Sequence, residues 1–185
     1  MKVVAIGGSP RLKGHTSYLI DQALAELTTL GVDTEKIILN THTIGPCQAH
    51  NGCASFTECK LKDDAAGIME KFCQADGVIL ASPVYFGSLS AQMKTFMDRT
   101  FFLFMHGIKM KAKCAGLIAI AGRAGAEETL NELNKFVRRV PDIKLLKLAG
   151  NSGSPDIDPK NLTELVEQAR AMGRQMANLL TSIKK

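Results

Sequence analysis

Hydrophobic positions along this chain fall into two alternating kinds of block. Lys2–Gly7 is a continuous apolar run, and beyond a glycine turn the spacing becomes helical from about His15 to Leu30. Val32–Leu39 predicts a second strand. Asp63-Asp64 precede Ile68, Met69 and Phe72, apolar positions at helical spacing, so the acidic pair can cap a helix. Gly77–Ala81 predicts a third, buried strand, Ser82–Ser88 a turn and Leu89–Phe104 a helix. Ala112–Ala121 predicts the fourth strand, and Ala126–Val140 a helix with the stripe Leu130, Leu133, Val137 and Val140. Ile143–Leu148 closes the set of strands, and a last helix is expected from about Pro159 to Ile183.

Strands that are apolar on both faces and separated by helices need covering on both sides. The expected fold class is therefore α/β: a three-layer, doubly wound, five-stranded parallel sheet with strand order 2-1-3-4-5. A chain of 185 residues suits a single domain over 1–185. The loop from Asn40 to Lys62 stands out, because roughly 20 residues without regular structure inside a compact domain usually carry function.

Composition narrows the picture only slightly. The chain is 45% hydrophobic and 22% charged with a formal charge of +5, and the basic residues are scattered. The densest groups, Lys109–Lys113 and Lys184-Lys185, read as solvated ends, so neither nucleic acid nor a membrane is an expected partner. The N-terminal apolar run is too short for a secretory signal. Five cysteines, three of them clustered, suit a reducing cytoplasm better than a disulfide framework.

In a doubly wound sheet, ligands bind beyond the carboxyl ends of the strands, where strand order reverses. After strand one comes GGSPRLKGHTSYL, which places Ser9, Thr16 and Ser17 at a helix start and adds Arg11. Free N–H groups and the helix dipole make an anion site there, although Thr16 or a neighbour could simply cap the helix. After strand three comes SPVYFGSLSAQMKTFMDR. Pro83 stiffens it, Gly87 keeps the backbone bare, and Tyr85 and Phe86 can wall an aromatic ligand or plug the loop. After strand four, AGRAGAEETL offers Gly122 and Gly125 at another helix start. Together these loops suit a phosphate at the first and a flat polar ring between the other two, as in FMN.

These segments resemble the NADPH-dependent FMN reductase superfamily, flavodoxin-like flavoproteins, and within it the iron–sulfur flavoprotein branch. The resemblance rests on GSPRLKGHTS and on DDAAGIMEKFCQADGVILASPVYFGSLSAQMKTFMDR. It implies phosphate contacts at Ser9, Arg11, His15, Thr16 and Ser17. Ring contacts would fall on Pro83, Val84, Tyr85, Phe86 and Gly87, with Gly122, Arg123 and Gly125 opposite. His15 stands where the family often has Asn, and either ring nitrogen could replace that amide. The implied activity is electron transfer from NAD(P)H or a reduced iron–sulfur protein, through FMN, to a quinone, flavin or metal acceptor. No side chain is required as a general acid or base. A non-catalytic flavodoxin-type carrier and a metal- or redox-sensing module are the rival readings.

The branch carries a compact Cys-x2-Cys-x2-Cys-xn-Cys motif before the Asp-Asp pair. Here Cys47, Cys53 and Cys59 match three positions and His50 takes the other. Three outcomes stay open: a 4Fe–4S cluster with His50 as a ligand, structural zinc, or a loop without metal. Cys73 and Cys114 fall on an apolar helix and a buried strand, as core residues do. Asp98 and Arg99 end the polar face of their helix, where a structural ion pair is the expectation. His42 and His106 read as structural or exposed. The segment FMDRTFFLFMHG is apolar on more than one stripe, which points to Phe101, Phe102 and Phe104 as a subunit interface of a homodimer or homotetramer.

Overall fold

A computed structural model describes residues 1–182. Ile183, expected in the last helix, and the Lys184-Lys185 end lie outside the described residues. The element order is β1 (Lys2–Gly7), α1 (His15–Thr29), β2 (Asp33–Ile38), α2 (Ala65–Gln74), β3 (Gly77–Tyr85) and β4 (Ser88–Leu89). It continues with α3 (Ala91–Arg99), α4 (Phe101–Met105), β5 (Cys114–Ala121), α5 (Ala126–Val137), β6 (Lys144–Asn151) and α6 (Thr163–Ser182).

Five strands pair in parallel in the order β2-β1-β3-β5-β6, and β4 pairs only with β3. With β4 set aside this is the expected 2-1-3-4-5 arrangement. The registers Val3↔Gly77, Gly77↔Cys114 and Cys114↔Lys144 start the central strands level with one another. Their carboxyl ends therefore finish at one edge.

Side chains of successive strand residues alternate between two apolar layers. Val4, Ile6, Val78, Leu80 and Leu117 pack with Phe72 of α2, Phe96 of α3 and Leu133 of α5. Val3, Ala5, Ile79, Ile118 and Ile120 pack with Leu19 and Ile20 of α1 and Met172 and Met176 of α6. Helices α1 and α6 meet so closely that a Cβ on Gly173 would lie 2.3 Å from the Ala23 carbonyl oxygen. Glycine is thus required there for packing. The edge strands β2 and β6 are only partly buried and carry Lys36, Lys144 and Lys147, charges that discourage pairing with a further chain.

The structure departs from the pattern in the middle of the chain. Strand β3 runs on to Tyr85 because β5 continues beside it to Pro83↔Ile120, and Val84 and Tyr85 then pair with Leu89 and Ser88 as a hairpin. Hydrophobic periodicity merges that hairpin's return strand with the helix behind it. The expected single helix over Leu89–Phe104 is two, joined at Thr100, whose hydroxyl donates to the Met97 carbonyl at 2.6 Å. Cys73 and Cys114 are core residues as expected. Burial pushes both thiols up, Cys114 to about 12 with Asp76 adding to the effect. No described helix is long and apolar enough to cross a membrane.

Candidate functional site

At the carboxyl edge of the sheet the loops after β1, β3, β5 and β6 enclose a cleft of about 270 Å³. They are fastened to one another before any ligand is considered. The Gly8 N–H donates to the Ala81 carbonyl at 2.8 Å, and the buried Ser90 hydroxyl donates to the Gly8 carbonyl at 2.7 Å while capping α3 through the Met93 N–H. Ser82 in turn accepts from the Ser90 N–H at 3.0 Å. The first and second loops are thus one hydrogen-bonded unit.

Of the residues singled out by sequence, Ser9, Arg11, His15, Thr16, Pro83, Val84, Tyr85 and Gly122 line this cleft. Ser17, Phe86, Gly87, Arg123 and Gly125 do not. Ser17 is buried one step further into α1. Phe86 sits at φ 51°, fully exposed, and with Gly87 at φ 76° forms the hairpin turn between β3 and β4. Gly125 shapes the site from behind. At φ 95° it holds a conformation that favours glycine, and a Cβ there would meet Val84 Cγ1 at 3.0 Å and Gly87 Cα at 3.3 Å. Sequence reasoning missed the fourth wall, Ser152, Gly153 and Pro155. Its signal was available in NSGSP, a turn-rich stretch directly after the last strand.

The start of α1 has the chemistry of an anion site. Its N-cap is Gly14, which has no side chain to offer, and the first helical bond runs from Tyr18 N–H to the Gly14 carbonyl at 3.0 Å. The N–H groups of His15, Thr16 and Ser17 are left to find partners beyond the helix backbone, at the positive end of its dipole. The Ser17 hydroxyl is buried with no hydrogen-bond partner among the described residues. Such a group costs stability unless something fills its need. These residues fit a phosphate.

His15 also has a partner within the fold. Its Nε2 lies 2.7 Å from the Ile157 carbonyl oxygen and must donate to it. That contact ties α1 to the loop after β6.

The cysteine loop is anchored, but its donors do not gather. Among the described residues no group of three His, Cys, Asp or Glu stands close enough to hold a metal ion, so Cys47, His50, Cys53 and Cys59 are not gathered as a ligand set in this structure. Instead Cys59 Sγ accepts from Arg99 Nη2 at 3.5 Å, while Arg99 Nη1 donates to the Gly45 carbonyl at 2.9 Å and to Asp63. Asp63 also accepts from the N–H groups of Gly45 and Ala65, and Asp64 from that of Thr43. The acidic pair thus spends most of its capacity on the loop; Asp64 makes no capping bond to α2. His106 completes the anchoring, with Nδ1 2.7 Å from the Phe102 carbonyl oxygen and Nε2 2.7 Å from that of Phe56. Asp98 and Arg99 each have an ion-pair partner, yet not each other. Asp98 pairs with Lys94, and Arg99 turns inward to Asp63.

A doubly wound parallel sheet, a glycine-bearing carboxyl edge and an uncapped helix start define the class of flavodoxin-like proteins that bind a phosphorylated planar cofactor. The family model for NADPH-dependent FMN reductase matches residues 1–152, and the chain belongs to that family: it is a flavoprotein oxidoreductase. An iron–sulfur flavoprotein of Methanocaldococcus jannaschii is 35% identical, with all of both chains covered. Another, from Archaeoglobus fulgidus, is 37% identical over 75% of this chain and 63% of its own length. Among solved structures, an NAD(P)H:quinone oxidoreductase from Methanothermobacter marburgensis superposes with TM-score 0.72 at 16% identity, covering 95% of this chain and 96% of that one. A flavodoxin from the domain Archaea does so at 0.63 and 12%, covering 98% and 99%. At such identities these two establish the fold.

Proposed function

We propose that the cleft binds FMN, with its phosphate at the start of α1 and its ring along Pro83–Tyr85 and Gly122. The protein would then pass electrons from NAD(P)H or a reduced iron–sulfur protein to a quinone, a second flavin or a metal acceptor. The observation that carries this reading is the unmet donor set at α1: three N–H groups, the orphaned Ser17 hydroxyl and Arg11 beside the cleft. A phosphate at this helix start would meet the N–H groups and Arg11, and the Ser17 hydroxyl lies one step deeper behind them.

When bound, FMN supplies the capacity to take electrons singly or in pairs. The chain's own residues bind and orient it. Ser9, Thr16 and Ser17 offer hydroxyls and Arg11 offers charge. Gly122 lets backbone approach a flat ring closely, and half-exposed Tyr85 offers a stacking face on the open side. Phe86, Gly87 and Arg123 stand outside the cleft wall, where they can cover a ring that protrudes from so small a hollow. No side chain is assigned an acid–base role, and no electron step is routed through the Cys47–Cys59 loop, whose donors stand apart.

Titration of the purified apoprotein with FMN, followed by quenching of flavin fluorescence, tests the reading. One FMN per chain, followed by turnover of NADH or NADPH with a quinone, is expected. A chain that takes up no FMN overturns it. Turnover also separates an enzyme from a carrier, which would be reduced once and stop.

A further inference from the structure

A second hollow, at the opposite edge of the sheet, has no part in the function proposed above. It lies between the end of α2, the joint of α3 with α4, the segment entering β5 and the end of α5, and its volume is about 560 Å³ against 270 Å³ for the cleft. Strand β5 runs from this hollow at Cys114 to the cleft at Ala121, so the two are roughly 23 Å apart at strand rise.

The walls are aromatic and held in place by the core. Phe72 and Phe136 stack with centroids 6.3 Å apart, and Phe72 meets buried Phe96 edge-on at 5.3 Å. Leu103, Phe104 and Val140 continue the apolar lining. Charge is distributed differently. Lys109, Lys113 and Arg139 line the hollow with exposed side chains against a single acid, Asp142, and none of the three takes part in an ion pair among the described residues.

We propose that this hollow binds an amphipathic organic anion, with a fatty-acyl body among the phenylalanines and one carboxylate at the lysines and arginine. The volume lies within the usual range for small-molecule sites, whose apolar walls carry a few convergent polar groups. The excess of cations sets the sign of the head group. The exposed cations favour an anionic head group at the mouth over a neutral one, and a nucleotide would place many polar atoms against phenyl rings.

Isothermal titration of the FMN-loaded protein with dodecanoate, below its micelle concentration, tests this. One saturable site per chain is expected, unaffected by FMN, with 1-dodecanol at least tenfold weaker. The double substitution Lys113→Gln/Arg139→Gln, at exposed positions that leave folding intact, should weaken dodecanoate about tenfold. Val140→Trp, which fills the hollow, should abolish binding while leaving FMN affinity unchanged. Absence of a saturable site, equal affinity for dodecanol, competition by FMN or indifference to the cation substitutions would each overturn the proposal. So would binding that emerges only after self-association is broken, because a second copy would then be the natural occupant.

Discussion

Arg99 and Asp63 form a 2.5 Å ion pair with side chains only 1% and 8% exposed, joining the end of α3 to the base of the cysteine loop. Burial opposes charge on both, and the partners outweigh it. Donors from Arg99, Gly45 and Ala65 hold the Asp63 carboxyl below its ordinary range, and Asp63 and Cys59 hold the Arg99 guanidinium up. The pair acts as a clamp on a loop that has little core of its own.

Removing one member should therefore cost more than a surface pair would. Arg99→Leu leaves Asp63 buried and unpaired, a change that costs about 3 kcal/mol. Urea denaturation should show that loss. Labelling of Cys59 by a thiol reagent should accelerate as well, because the released loop exposes a sulfur that is now partly covered. Labelling at the wild-type rate would mean that the loop is held elsewhere.

The clamp also has a pH signature of fixed sign. Because the folded carboxyl titrates below its ordinary value of 3.8, its contribution is complete above the unfolded pKa and disappears as pH falls through the folded one. In thermal melts, the stability gap between wild type and Asp63→Asn should be constant from neutrality to about pH 5. Below about pH 4 it should narrow. A gap that widens on acidification would contradict the pairing.

Ser17→Ala separates binding from folding. Its hydroxyl is an unmet polar group in the free chain, so its removal should leave apoprotein stability unchanged or slightly raised. FMN affinity should fall on the order of tenfold, the scale of one hydrogen bond to a charged group. Fluorescence titration and a thermal melt of the same sample check both halves.

Gly125→Ala tests the wall behind the cleft. The residue sits at φ 95°, and the added Cβ would press on Val84 and on the Gly87 backbone. A cost of about 1–3 kcal/mol is expected, together with weaker FMN binding because Val84 lines the cleft. Full FMN affinity in a destabilised variant would show that the loops shift without closing the site.

The apolar outer face of α4 gives a prediction on assembly. Phe101 and Phe104 are 44% and 67% exposed and stack at 6.0 Å, whereas Phe102 turns inward onto His106 at 4.0 Å. Sedimentation should show a homodimer or homotetramer, and Phe101→Glu should shift it towards monomer. A wild-type chain that sediments only as monomer removes the interface.

Local order left a clear trace in the sequence. Strands buried on both faces carry few polar residues, so β1, β3 and β5 appear as mainly apolar runs, and the helices between them mark the sheet as parallel. The glycine turns and hydroxyls at α1 were legible for the same reason: a helix start that binds an anion needs particular residues within a few positions. Long-range pairing left no such trace. That His15 spends Nε2 on Ile157, that Arg99 turns inward to Asp63, and that Ser152 and Gly153 close the cleft depend on contacts across tens to more than a hundred residues. Spacing and the family resemblance made Cys47, His50, Cys53 and Cys59 a candidate ligand set and left cluster, zinc and a metal-free loop open; in the structure Arg99, Asp63 and His106 hold the loop in a course that leaves those donors ungathered. Periodicity reports which face of an element is dry, and only the packed chain decides which polar groups meet.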